Sequence, residues 1–211
     1  MIDLTSFSIL AFSSLFTLVN PIGLSPVFIS MVEHCNKSER KQIALKGVAI
    51  AFFILILFTF IGRLIFSFFG ITVSGFKIAG GILFFRTGMQ MLESRLPRTR
   101  STPQEETEAE TKDEIAYTPI GIPLIAGPGA ISSVMIFSSE TESWEYKLIL
   151  LIVIAFVMVL TYLIFRMADK ITQKFGTIGL RIIQRVMGLI LMVIAVEFII
   201  SGIEPIVLSW I

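Results

Sequence analysis

Two short stretches set proline, glycine and small polar residues deep inside apolar sequence. The first is Val19-Asn20-Pro21-Ile22-Gly23-Leu24-Ser25-Pro26. The second is Pro123-Leu124-Ile125-Ala126-Gly127-Pro128-Gly129-Ala130, followed by Ser132 and Ser133. Proline has no amide hydrogen and clashes with the preceding turn, so each stretch should interrupt a helix. In the first, Ser25-Pro26 reads as the restart, with serine as N-cap and proline in the first helical position. A broken helix offers backbone amides at the start of its second half, and their partial positive charge suits a carboxylate. The carbonyls left at the end of its first half suit a cation or an ammonium, so the two together suit a zwitterion. The candidate binding residues are therefore Asn20, Pro21, Gly23 and Ser25 in the first stretch and Gly127, Pro128, Gly129 and Ser132 in the second. Asn20 can both donate and accept, and the bare glycines let a ligand approach the backbone. The plainer reading is a pair of packing kinks, since proline and glycine are common in membrane helices. The clustering, the depth and the recurrence of the breaks favour a site.

Other chemistry is sparse. Arg86 and Glu197 are the deepest ionisable residues, and intramembrane charges default to a functional hypothesis. Glu197 could carry a coupling proton, and Arg86 could anchor on backbone carbonyls. They lie toward opposite faces of the membrane, which argues against a simple pair. Cys35 is the one cysteine and His34 the one histidine, so no disulfide or zinc cluster is expected. No paired aspartates, HExxH or GxSxG arrangement points to an enzyme. No metal or cofactor is expected, and coupling to H+ or Na+ is left open.

The elements that must position these residues follow from composition. Hydrophobic residues make up 55% of the 211-residue chain and charged residues 16%, against about 25% charged in a soluble domain. The net charge of +1 suggests no nucleic-acid partner. A crossing helix needs about 20 apolar residues. The uncharged runs 4–32, 115–139 and 148–165 qualify, as does the run that starts after Lys46 and continues to Gly70, interrupted by Arg63 alone. The segments 71–92 and 180–208 qualify less cleanly, because each carries charges; Lys77 and Arg185 sit near the ends, where they can snorkel. The N-terminal run has no basic start and no cleavage pattern, so it reads as a retained span rather than a signal peptide. The polar segment 94–114 reads as a linker. It divides the chain into a first three-helix unit, 1–93, and a second, 115–211.

The halves resemble each other. Phe76-Lys77-Ile78-Ala79-Gly80-Gly81-Ile82-Leu83 aligns with Gln184-Arg185-Val186-Met187-Gly188-Leu189-Ile190-Leu191, and at nearly the same offset Pro21 meets Pro128 and Glu33 meets Glu140. Three spans per half force the second copy upside down. The expected fold is thus an all-α membrane protein of six transmembrane helices in two inverted three-helix repeats, with helices 1 and 4 broken, an architecture of secondary transporters. Lys and Arg crowd the loops after spans one, three and five, which places the linker in the cytoplasm and both termini outside.

The Asn20-Pro21-Ile22-Gly23 and Pro26 pattern, the Pro123–Ile131 pattern and Gly75-Phe76-Lys77-Ile78-Ala79-Gly80-Gly81 together resemble the MarC family of bacterial inner-membrane proteins, also called the small neutral amino acid transporter family. The resemblance covers essentially the whole chain. It implies six spans and, for some members, transport of glycine, alanine and similar amino acids. The family's name reflects a suspected role in antibiotic resistance, but nothing in these residues suggests a drug pocket. The expected function is transport of a small neutral amino acid across the inner (plasma) membrane, with an oligomer open. The alternatives are a channel or an exporter for another small solute.

Overall fold

The computed structural model describes residues 3–33, 35–93, 116–140 and 143–210, and every regular element among them is helical. The linker 94–114 lies outside the described residues. Helix α1, Leu4–Val19, is capped by Asp3, whose carboxylate accepts from the Thr5 amide. It ends at Asn20, which takes the left-handed conformation (φ 48°, ψ 54°). Helix α2, Pro21–Met31, starts at the next residue. The restart is therefore at Asn20-Pro21 and not at Ser25-Pro26. Asparagine tolerates the left-handed region and caps well, and proline suits the first helical position. Ser25 caps nothing; its hydroxyl donates to the Pro21 carbonyl at 2.9 Å, and Pro26 lies inside α2.

Helix α3, Lys37–Phe69, opens with a capping box in which Asn36 accepts from the amides of Ser38 and Glu39 and Glu39 accepts from the Asn36 amide. Its 33 residues extend about 50 Å, more than the ~30 Å hydrocarbon core, so its polar first turns stand outside the bilayer. Gly70, at φ 65°, ends it. Helix α4, Val73–Leu92, follows, capped by Thr72. After the linker come α5, Ala116–Ile125, wound as a π-helix, and α6, Pro128–Glu140. Helix α7 spans Trp144–Arg166 and α8 spans Ala168–Leu208, bent at Gly176 (φ 61°, ψ −179°).

Four stretches are long and apolar enough to cross a bilayer: Leu4–Met31, Lys37–Gly62, Trp144–Arg166 and Ile178–Leu208. The expected third and fourth spans do not reach that standard as single helices. Lys77 and Arg86 dilute the apolar content of α4. The fourth is cut into α5 and α6, of 10 and 13 residues, and neither piece alone reaches the roughly 20 residues required.

Helices α4 and α8 run antiparallel along a seam of small residues. A Cβ on Gly88 would stand 2.7 Å from the Gly188 carbonyl oxygen, one on Gly81 2.8 Å from that of Ala195, and one on Gly202 2.8 Å from that of Ser74. Small residues at heptad spacing let two backbones meet where lipid supplies no hydrophobic drive of its own. A chain of aromatic contacts ties this pair to the broken helices: Phe84 to Phe198, Phe198 to Phe137 and Phe137 to Phe7, with centroids 5.4–5.6 Å apart. Gly88→Val and Gly188→Val are each expected to destabilise the protein by about 3 kcal/mol, the upper end of overpacking. Ile82→Val, on the exposed face of α4, should stay within about 0.5 kcal/mol. Unfolding in mild detergent measures both; a Gly88→Val protein as stable as wild type would contradict the close approach.

Candidate functional site

The two breaks lie against each other. A Cβ on Gly129, one residue into α6, would stand 2.9 Å from Leu18 Cδ2, two residues before Asn20. Phe7 meets Phe137 farther along the same pair, so α1 and α6 are antiparallel, with their breaks at the same level. Tertiary packing thus gathers residues more than a hundred positions apart in sequence.

The breaks differ chemically. At the first, the Asn20 side-chain oxygen accepts from the Gly23 amide at 3.2 Å. The Leu24 amide donates to the Asn20 carbonyl at 3.0 Å, and Pro21 has no amide hydrogen. Most of the donors expected to face a ligand there are therefore already used, and Asn20 serves first as a cap. Gly23 is glycine for a steric reason, because a Cβ would fall 2.4 Å from Asn20 Nδ2. At the second break the Ala126 amide reaches back to the Gly121 carbonyl at 3.0 Å, closing the π-turn, and the Ile131 amide reaches the Gly127 carbonyl at 3.0 Å. Gly127, in the capping position of α6, has no side chain to accept from the amides of Gly129 and Ala130. The second break is thus the more open anion-attracting end.

Pro21, Gly23, Ser25, Gly127 and Gly129 are buried, Asn20 and Ser132 are half-buried, and Pro128 is exposed. Three residues outside the expected set belong beside them. Ser133, not Ser132, is fully buried, and its hydroxyl has no hydrogen-bond partner; the same holds for Ser14 on α1. The antiparallel register puts Ser14 and Ser133 within about one turn of each other. Buried hydroxyls are normally satisfied, so these two leave unused hydrogen-bonding capacity on the two broken helices. Gln184, 5% exposed on α8, points its amide nitrogen at the Gly23 carbonyl, 3.5 Å away. Its signal in sequence was its place on the apolar stripe Leu180, Gln184, Leu191, Ala195, Phe198, all buried.

Farther along α2 a cavity of about 380 Å3 opens between the ends of α2, α3, α7 and α8. Phe28 stacks on Phe165 in its wall, with centroids 4.6 Å apart, and Lys37, Arg40, Lys41, Arg166 and Lys170 ring it. Arg40 crosses to Asp169 at 3.4 Å and donates to the Cys35 and Glu33 carbonyls. Basic residues from the ends of α3, α7 and α8 thus meet at one end of the bundle.

Arg86 and Glu197 are not in this site. Both are exposed on the outward side of α4 and α8, and they do not pair with each other. A charge near the bilayer centre costs about 2.5–3.5 kcal/mol on insertion scales, so their placement calls for its own explanation. Among the described residues no cluster of three or more His, Cys, Asp or Glu could hold a metal ion.

Residues 5–207 match the family described as MarC family integral membrane protein. Similar proteins occur in archaea and bacteria. A UPF0056 membrane protein of Methanocaldococcus jannaschii is 40% identical over 93% of this chain and 95% of its own length. The UPF0056 membrane protein YvbG of Bacillus subtilis is 38% identical over 94% and 95%, and YhcE of Escherichia coli is 36% identical over 92% and 91%. No solved structure matches. With a match along nearly its whole length and relatives of this identity and coverage, the chain belongs to the MarC family of integral membrane proteins.

Proposed function

We propose that the protein is a secondary transporter of small neutral amino acids, of glycine or alanine size, and that the substrate sits between the two broken helices. The observation that carries this reading is the packing of Gly129 against Leu18, which brings both breaks to one level, with the unpaired hydroxyls of Ser14 and Ser133 about one turn, roughly 6 Å, farther along the same pair of helices. The substrate carboxylate faces the open amides at Gly129 and Ala130. The ammonium faces the carbonyl end of α1 and the serine hydroxyls. Leu18 and Phe84 close on Gly129, which favours short side chains. The 380 Å3 cavity is the vestibule through which the site is reached from one side.

The same reading takes the chain as six crossings in two inverted triplets, 1–93 and 115–211, joined by 94–114. Pro21 and Pro128 each open the second half of a broken helix, and Gly81 and Gly188 each meet a backbone carbonyl of the other's helix. Both pairs are 107 residues apart. That register makes Gly81, rather than Gly80, the counterpart of Gly188. In this arrangement α4 crosses beside Ile178–Leu208, and α5 with α6 together make the fourth crossing.

The deciding experiment is counterflow in liposomes holding the purified protein. Saturable uptake of labelled glycine or alanine, accelerated by unlabelled amino acid inside, is expected. A flux that never saturates would replace the carrier by a channel, and no flux across an amino acid panel would remove the substrate class. Orientation is a separate expectation. The basic ring at one end of the bundle supports a cytoplasmic vestibule, so a reporter after Ile211 should read external and one within 101–110 cytoplasmic. The reverse pattern would turn the protein over without affecting the site.

A further inference from the structure

We propose that the outward face of α4 and α8 docks on the same face of a second copy of this chain, with Arg86 of each copy paired to Glu197 of the partner subunit. Glu197 lies inside the crossing stretch Ile178–Leu208, four residues from its midpoint, Val193. The contacts of Gly88 with Gly188 and of Gly81 with Ala195 fix the register of α4 on α8. They set Arg86 level with Ile190, three residues to the other side of that midpoint. Both charges are therefore within about 6 Å of the middle of the span. Both are exposed, and neither has a hydrogen-bond or ion partner among the described residues.

Their neighbours on this face are apolar and exposed: Ile82, Phe85, Met89, Val193, Val196 and Ile200. Such a face does not line a water-filled path, and lipid does not solvate bare charges. Ionisable groups at this depth are found facing protein or water and paired. One positive and one negative charge on a single face make that face complementary to itself. In a two-fold dimer about the membrane normal, α4 lies opposite α8 of the partner, and the pair occurs twice. Helical side chains lean toward their own N-terminus. Because the two helices are antiparallel, Arg86 and Glu197 lean toward each other's level, which closes much of the about 10 Å that separates them along the axis.

The test uses two differently tagged copies of the full chain expressed together and purified in mild detergent. Wild-type copies are expected to co-purify. Arg86→Glu and Glu197→Arg, each giving a face with two like charges, should each reduce co-purification at least tenfold. Expressing one of these variants in each tagged copy should restore it, because opposite charges then meet only between chains. A pair within one chain would not be rescued this way. The double variant Arg86→Leu with Glu197→Leu removes both charges, should insert at least as well as wild type, and should purify as a monomer. Wild-type copies that never co-purify, mixed variants that fail to recover, or a leucine double variant that co-purifies like wild type would each overturn the proposal.

Discussion

Gly129→Val is expected to lower amino acid flux by at least about a hundredfold, equivalent to roughly 2.7 kcal/mol on the barrier, while the protein stays folded and monodisperse. The first atom added at this position meets Leu18 Cδ2 at 2.9 Å. That atom ends a flexible side chain, so the core can yield by turning Leu18 rather than by unfolding. On the proposed reading the added valine and the displaced Leu18 take up room the substrate needs, and that loss should exclude larger substrates at least as strongly as small ones. Leu18→Ala in the same molecule should return part of the flux by vacating the volume. Liposome uptake together with thermal unfolding separates the two effects. A folded Gly129→Val protein with normal affinity and turnover would sink the site.

Asn20 should divide into two roles under substitution. Its left-handed backbone and its cap on the Gly23 amide together hold the entry of α2. Asn20→Ala loses both, at about 1–2 kcal/mol for the cap and a further 1–2 kcal/mol, roughly, for a left-handed non-glycine residue. Asn20→Gly keeps the backbone free to turn and loses only the side chain. Asn20→Asp keeps the acceptor and loses the Nδ2 donor. If Asn20 works through α2 alone, Asn20→Asp should transport nearly as well as wild type and Asn20→Gly somewhat less. If the Nδ2 group also holds substrate, Asn20→Asp should raise the KM for amino acid by about tenfold or more, the order of a lost hydrogen bond to a charged group, with little loss of stability. Flux equal to wild type in Asn20→Ala would show that neither role limits transport.

Much of this was legible beforehand because it rests on local rules. Proline without an amide hydrogen breaks a helix wherever it falls, so both interruptions were visible in Asn20-Pro21 and Gly127-Pro128. Long uncharged runs have no alternative but a membrane, so three of the crossing stretches, Leu4–Met31, Lys37–Gly62 and Trp144–Arg166, followed from hydropathy alone, whereas Ile178–Leu208 crosses despite its charges and the uncharged run 115–139 is cut into two short helices. Where the local rules offered two answers, the wrong one was easy to choose. Ser25-Pro26 is as good a restart on paper as Asn20-Pro21; the left-handed turn at Asn20 decides between them, and it costs little only for asparagine and glycine.

The sequence by itself determined the class of molecule and the two segments in which a helix breaks, since these depend on what each residue does to its own backbone and on how much water it tolerates. Tertiary structure alone decided the rest. It set the first break capped by its own Asn20 and left the second open. It buried Ser133 and left Ser132 half-buried, because a one-residue step around a helix turns a side chain by about 100° from core to edge. It brought Gln184 onto Gly23, and it turned Arg86 and Glu197 outward along the glycine seam of α4 and α8. Each of these depends on which helix faces which, and that follows from close packing between residues far apart in the chain.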